Sequence, residues 1–139
     1  MIADMTARMI LEAGAVKYNA ERPFFLASGW ASPVYIDAQR LISFPRIRRA
    51  LMDLASEVVL TGAGFEQFDT VAGVESSGIA YGAWIAERLS LPLQYVRRKP
   101  RGFGPESQIE GTLRAGARVL LVDDITTDGR SKIEMCRAL

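Results

Sequence analysis

Two adjacent carboxylates, Asp123 and Asp124, stand directly after the apolar run Val119-Leu120-Leu121-Val122. Thr126, Thr127, Asp128 and Gly129 follow, and then a helix-like run from Ser131 to Leu139. A loop of small residues that opens into a helix offers free backbone N–H groups and the positive end of a helix dipole to an anion. The local chemistry is a phosphate cradle with two acids beside it. The bland alternative is a buried strand whose end carries two solvated acids. Glu75-Ser76-Ser77-Gly78 repeats the arrangement after a second apolar run, Thr70–Val74. A third charged stretch is Arg97-Arg98-Lys99-Pro100-Arg101, four cations in five residues.

Each of these stretches needs a scaffold. Val119–Val122 and Thr70–Val74 are short, continuous apolar runs, the pattern of strands buried on both faces in a parallel sheet. Leu93–Val96 reads as a third strand. In such sheets ligands bind beyond the C-terminal ends of the strands, where both small polar turns fall. Residues 44–61 form the clearest helix. Ser43 is placed to cap it, Pro45 suits its first turn, and Ile47, Leu51, Leu54 and Val58 make one apolar stripe. Arg46, Arg48 and Arg49 lie mostly off that stripe, and Gly62 and Gly64 end the helix. Gly62-Ala63-Gly64 does not continue as a dinucleotide fingerprint, because position 67 is Gln and no strand precedes it. Residues 3–14 put Met5, Met9, Ile10 and Ala13 on one side of a first helix, with Gly14 as its stop. Between them, the apolar runs on either side of Ser28-Gly29-Trp30-Ala31-Ser32-Pro33 predict a hairpin within 24–40. The segment from Arg97 to Gly111 has two prolines and three glycines, which exclude regular structure. A cationic, Gly-hinged connection of this length has the character of a lid that closes over a polyphosphate. A basic nucleic-acid-binding loop is the competing reading, but no basic face supports it.

Composition narrows the chemistry. The 139 residues are enough for one domain, 49% hydrophobic and 24% charged, as in an ordinary globular protein. A net charge of +1 gives no field that points to nucleic acid or a membrane. With no histidine and the single Cys136, a zinc site or a Ser-His or Cys-His pair has too few parts. The lone cysteine fits a reducing compartment. Asp4, Arg8 and Glu12 interrupt the N-terminal apolar stretch, which argues against a signal peptide or a membrane helix. The expectation is a cytoplasmic protein.

Apolar strand, Asp-Asp, Thr-Thr-x-Gly and helix together resemble the 5-phosphoribosyl-1-pyrophosphate (PRPP) motif of type I phosphoribosyltransferases. The Ser-Gly-x-x-Ser-Pro frame and a lid ending in Ile109-Glu110-Gly111 resemble the orotate branch of that family. The resemblance implies an α/β fold: a parallel central sheet flanked by helices, with an N-terminal hood. A single domain would then cover 1–139, with the helix and hood hairpin in 1–40 and the core in 41–139, including a flexible lid over 97–109. It implies that Asp123 and Asp124 hold the ribose hydroxyls and that Ile125, Thr126, Thr127, Asp128, Gly129, Arg130 and Ser131 surround the 5′-phosphate. Arg97, Arg98, Lys99 and Arg101 would meet the pyrophosphate, with Arg101 catalytic beside the two acids. Val34, Tyr35, Ser76, Ser77 and Thr127 would contact orotate. The implied reaction makes orotidine 5′-monophosphate and pyrophosphate from PRPP and orotate, in pyrimidine synthesis. Mg2+ would ride on PRPP without direct protein ligands, and a homodimer would share its lids in trans.

The chain also departs from the pattern. Ala27 stands where many members have Lys, Phe103 where many have His, and Arg130 where the phosphate loop is usually small. The family continues for two strands and a helix beyond the position of Leu139, with an Arg that reads the orotate carboxylate, so the resemblance implies a C-terminal part missing here. Two rivals follow: a purine phosphoribosyltransferase, and a non-catalytic PRPP-binding regulator or inactive fragment of the same fold.

Overall fold

The structure, a computed structural model, describes residues 1–102 and 108–139. Phe103 and the middle of the expected lid lie outside the described residues. Two compact units form, Met1–Leu51 and Met52–Leu139.

In the first unit, α1 spans Ile2–Glu12 and stops where Gly14 adopts φ +63°, a conformation that glycine enters freely. Its expected stripe is only partly covered, since Met5 is 48% exposed and no residue of the helix is fully buried. Of the stripe, Ala13 is buried, just beyond the helix, together with Ala15, Ala38 and Leu41. The hairpin is shorter than the sequence predicts. β2 (Phe24–Phe25) pairs antiparallel with β3 (Ala31–Ser32). The second apolar run, β4 (Val34–Ile36), turns away and pairs with β1 (Val16–Tyr18). Ser32 makes the break: its hydroxyl donates to the Val34 carbonyl at 2.7 Å, the local loop closure that Ser favours over ladder bonding. A 3-10 helix, Ala38–Ser43, follows; the Asp37 carboxylate accepts from the Arg40 N–H at its start. Ser43 belongs to this turn.

α2 (Pro45–Ala63) begins at the proline as expected and runs into the second unit. Its buried face is rotated from the expected stripe. Leu51, Met52 and Ser56 are buried, while Val58 is exposed. Ser56 is tolerated inside because its hydroxyl donates to the Met52 carbonyl at 2.8 Å. Gly62 lies within the last turn, and Gly64, at φ +109°, ends the helix.

The second unit is built on a four-stranded sheet in the order β7-β6-β5-β8. β5 (Thr70–Val74), β6 (Leu93–Val96) and β8 (Val119–Val122) are parallel, as the apolar runs predict. The sheet is mixed rather than wholly parallel: β7 (Ile109–Glu110), at the end of the expected lid, returns antiparallel to β6. Every residue of β5 is buried. Its polar Thr70 is satisfied inside, with its hydroxyl 2.6 Å from Gln94 Oε1 and 2.9 Å from the Pro92 carbonyl. Gln94, also buried, donates its amide to the Thr112 carbonyl. α3 (Ser77–Leu89) follows β5, and α4 (Arg130–Ala138) follows β8. Met135 of α4 packs on Ala72, Val74 and Val96. α3 lies on β5 through backbone: a Cβ at Gly73 would stand 2.5 Å from the Gly78 carbonyl oxygen, and one at Gly82 would stand 3.0 Å from Gly73 Cα.

Candidate active site

Asp123 and Asp124 leave the C-terminal end of β8, where the ladder to β5 stops at Gly73↔Val122. Free of sheet pairing, the chain bonds to itself. Asp123 Oδ1 accepts the Asp124 N–H, and Asp124 Oδ1 accepts the Ile125 N–H, both at 2.9 Å. These bonds direct the carboxylates into a cleft of about 330 Å³, lined by Leu121, Asp123, Asp124, Ile125, Thr126 and Lys132. Burial, and then the hydrogen bond and charge of Asp123, push the Asp124 carboxyl above the usual carboxylate range. Burial, and then the Asp124 charge, push the Tyr81 phenol up as well. A larger hollow of about 470 Å³ lies along β8 and α4, lined by Leu113, Val119, Leu121 and Cys136 among others. It holds no carboxylate, so the smaller cleft is the candidate site.

The loop beyond the acids is open to an anion. The backbone N–H groups of Thr126, Thr127, Asp128 and Gly129 have no hydrogen-bond partner among the described residues. Gly129, at φ +77°, is the N-cap of α4 and allows the sharp entry into the helix. The Arg130 N–H is held by Asp128 Oδ1 at 3.1 Å. The Arg130 guanidinium, 84% exposed, lies 3.5 Å from Asp128 Oδ2, so this large side chain does not crowd the loop. Ser131 lies in the first turn.

The second small turn reaches the same place. Ser76 is the N-cap of α3 and Ser77 its first residue. A Cβ on the next residue, Gly78, would stand 3.0 Å from Asp123 Oδ1, so the start of α3 abuts the first acid. The cations are held elsewhere. Arg101 and Arg97 both pair with Glu110, Arg97 at 3.5 Å. Arg98 donates through its backbone N–H to Glu75 Oε2 at 2.9 Å and through Nε to the Glu75 carbonyl at 2.7 Å. Lys99 is exposed. Val34 and Tyr35 lie in the first unit. Tyr35 packs on Phe24 with ring centroids 5.6 Å apart, and the Lys17 ammonium stands 5.6 Å from its ring centre.

Lys132 was not legible as a site residue. It reaches back from the first turn of α4 and pairs with Asp123 Oδ2. The available signal was a cation at a helix N-terminus, where the dipole disfavours it. Glu75 and Glu110, which hold the cations, sit in the expected turn and lid frame but as partners rather than ligands.

The phosphoribosyl transferase domain model matches residues 38–139. An orotate phosphoribosyltransferase of Dinoroseobacter shibae is 56% identical over 138 residues, covering 99% of this chain. One of Rhizobium rhizogenes is 50% identical over the whole chain. The chain spans 61% and 60% of the lengths of these two relatives. Among solved structures, the orotate phosphoribosyltransferase of Aeropyrum pernix is 34% identical with a TM-score of 0.73, covering 96% of this chain and 73% of that one. Leishmania donovani UMP synthase gives a TM-score of 0.78 at 30% identity, covering 96% of this chain and 27% of that one. The sheet, the two small turns that meet at Asp123 and the matched residues agree: the chain belongs to the phosphoribosyl transferase domain family and groups there with the orotate phosphoribosyltransferases.

Proposed function

We propose that this chain carries the PRPP site of an orotate phosphoribosyltransferase, joining the phosphoribosyl group of PRPP to orotate in UMP synthesis. The observation that carries the reading is the acid pair beside a loop whose N–H groups have no partner among the described residues, at the strand end where the N-terminus of α3 also arrives. In this reading Asp123 and Asp124 accept hydrogen bonds from the ribose 2′ and 3′ hydroxyls, and residues 125–131 hold the 5′-phosphate. The C1–oxygen bond to pyrophosphate breaks and its electron pair leaves with pyrophosphate. The ring nitrogen of orotate supplies the pair for the new bond and gives up its proton to the departing pyrophosphate or to solvent. Positive charge gathers on the ribose in between, where the carboxylates offset it.

Mg2+ bound to the pyrophosphate and ribose oxygens would neutralise leaving-group charge. In this reading the ion is carried in on the substrate and completes its shell with water, as Mg2+ prefers. Arg97 and Arg101 would leave Glu110, Arg98 would leave Glu75, and the exposed Lys99 would join them at the pyrophosphate. Val34, Tyr35, Ser76, Ser77 and Thr127 would contact the base. The working unit in this reading is a cytoplasmic homodimer with each lid serving the neighbouring site. Among the described residues no helix is long and apolar enough to cross a membrane.

The test is to incubate the purified protein with PRPP, Mg2+ and orotate, with adenine and hypoxanthine as controls. Orotidine 5′-monophosphate formed from orotate alone supports the reading. Tight PRPP binding without turnover would instead favour a regulator.

A further inference from the structure

Resting on the PRPP-binding reading above, we propose that Lys132 is a positioning residue for ribose recognition: its ammonium fixes the Asp123 carboxylate in the orientation that meets the sugar. The pair is not a surface ornament, because the Asp123 side chain is only 7% exposed and that of Lys132 25%. Both Asp123 oxygens are engaged, Oδ2 with the Lys132 ammonium and Oδ1 with the Asp124 N–H at 2.9 Å. Oδ1 keeps a lone pair after its bond, and Oδ2, ion-paired but accepting no hydrogen bond among the described residues, is likewise open to a hydroxyl. Gly78 closes the remaining side: its Cα leaves no room for a Cβ, which would stand 3.0 Å from Oδ1. The carboxylate is thus clamped from α4, from its own chain and from α3.

Lys132 occupies a costly place. It lies in the first turn of α4, where the dipole opposes a cation. Its ammonium also donates to the Ser131 hydroxyl, 3.2 Å from Nζ. Among the described residues Lys132 is the cation paired with the acid pair, while Arg97, Arg98 and Arg101 are held by Glu110 and Glu75. Without Lys132 the repulsion between the two acids is no longer offset, and the Asp124 N–H alone must hold the Asp123 carboxylate against it.

The experiment titrates the wild type, Lys132→Met, Asp123→Asn and the double variant with PRPP and with inorganic pyrophosphate, in Mg2+ buffer by calorimetry. Lys132→Met should weaken PRPP binding about ten-fold or more, the scale of one hydrogen bond to a charged group. Pyrophosphate has no ribose, so its affinity should stay at the wild-type value; a general loss of structure would lower both. In the Asp123→Asn background, Lys132→Met should change PRPP affinity by less than about two-fold, because its target is already gone. The double variant removes both charges and keeps the comparison available where Lys132→Met alone unfolds. Wild-type PRPP affinity in Lys132→Met overturns the proposal. So does an equal loss for pyrophosphate, or the full loss persisting in the Asp123→Asn background, which would make Lys132 a direct phosphate contact. If the wild type itself binds no PRPP, it is the PRPP reading that fails.

Discussion

Replacing Gly78 with alanine tests whether the start of α3 is pressed onto the acid pair. The added Cβ would stand 2.7 Å from the Val122 carbonyl oxygen, 3.0 Å from Asp123 Oδ1 and 3.1 Å from Asp123 Cα. Two of these three atoms are backbone, so no rotamer change relieves the contact. The turn must move from β8 by several tenths of an ångström. Overpacking of this kind costs about 1–3 kcal/mol, against at most about 1 kcal/mol gained from replacing glycine in a helix. With the full offset the net expectation is a loss of up to about 2 kcal/mol, and roughly 4 °C in Tm for each kcal/mol in a chain of this size. Gly62→Ala is the control. It also lies in a helix, but nothing stands within 4 Å of its added Cβ. It should gain about 0.5–1 kcal/mol. Thermal melts of the two variants should therefore move in opposite directions, and Gly78→Ala alone should weaken PRPP binding because it displaces Asp123. A Gly78→Ala protein that melts higher, as Gly62→Ala should, would refute the close approach.

Asp124→Asn removes a charged acceptor worth roughly 1.5–3 kcal/mol, so PRPP affinity measured by calorimetry should fall about ten- to a hundred-fold. Thr70→Val leaves the buried Gln94 Oε1 without its 2.6 Å donor, and urea unfolding should show a loss of about 1–3 kcal/mol. The Arg118 guanidinium holds the Asp69 carboxyl down at about 2. A depressed carboxyl stabilises the fold above its unfolded value and loses that contribution as pH falls. Melts of Asp69→Asn and wild type should therefore converge as the pH is taken from 5 towards about 2, and a constant difference would count against the ion pair. Mixing Arg101→Ala with Asp124→Asn should restore activity if lids act across a dimer; mixed dimers at the level of the separate mutants would show that Arg101 serves its own subunit.

The long apolar runs made β5, β6 and β8 legible, because a strand buried on both faces needs little else to declare it. The acid pair and the loop to Ser131 were legible for the same reason: they sit where such a strand must end. The short elements were not. β1 and β7 span three and two residues, too few for any period to register, and each is fixed by its partner strand rather than by its own composition. The stripe of α2 failed at Val58 and Ser56, where a hydroxyl bonded to its own helix replaced the expected aliphatic residue. Lys132 was invisible because its role rests on a contact with Asp123, nine positions earlier, that only the turn between them creates.

The antiparallel return of β7 sets a length. Val96 pairs with Ile109, the Arg97 N–H donates to the Gln108 carbonyl at 2.7 Å, and Gln108 Nε2 donates to the Arg97 carbonyl at 3.1 Å. Both ends of the segment between Arg97 and Gln108 are therefore tied to one point of the sheet. Arg101 lies four Cα–Cα steps of about 3.5 Å from Arg97, so its Cα can stand no more than ~14 Å from this base. Any phosphate Arg101 touches, in its own subunit or another, must lie within that distance plus the length of its side chain. A dimer that serves a neighbour's site must accordingly bring the neighbour's acid pair that close to the Val96–Ile109 pair, which constrains its packing before any interface residue is considered.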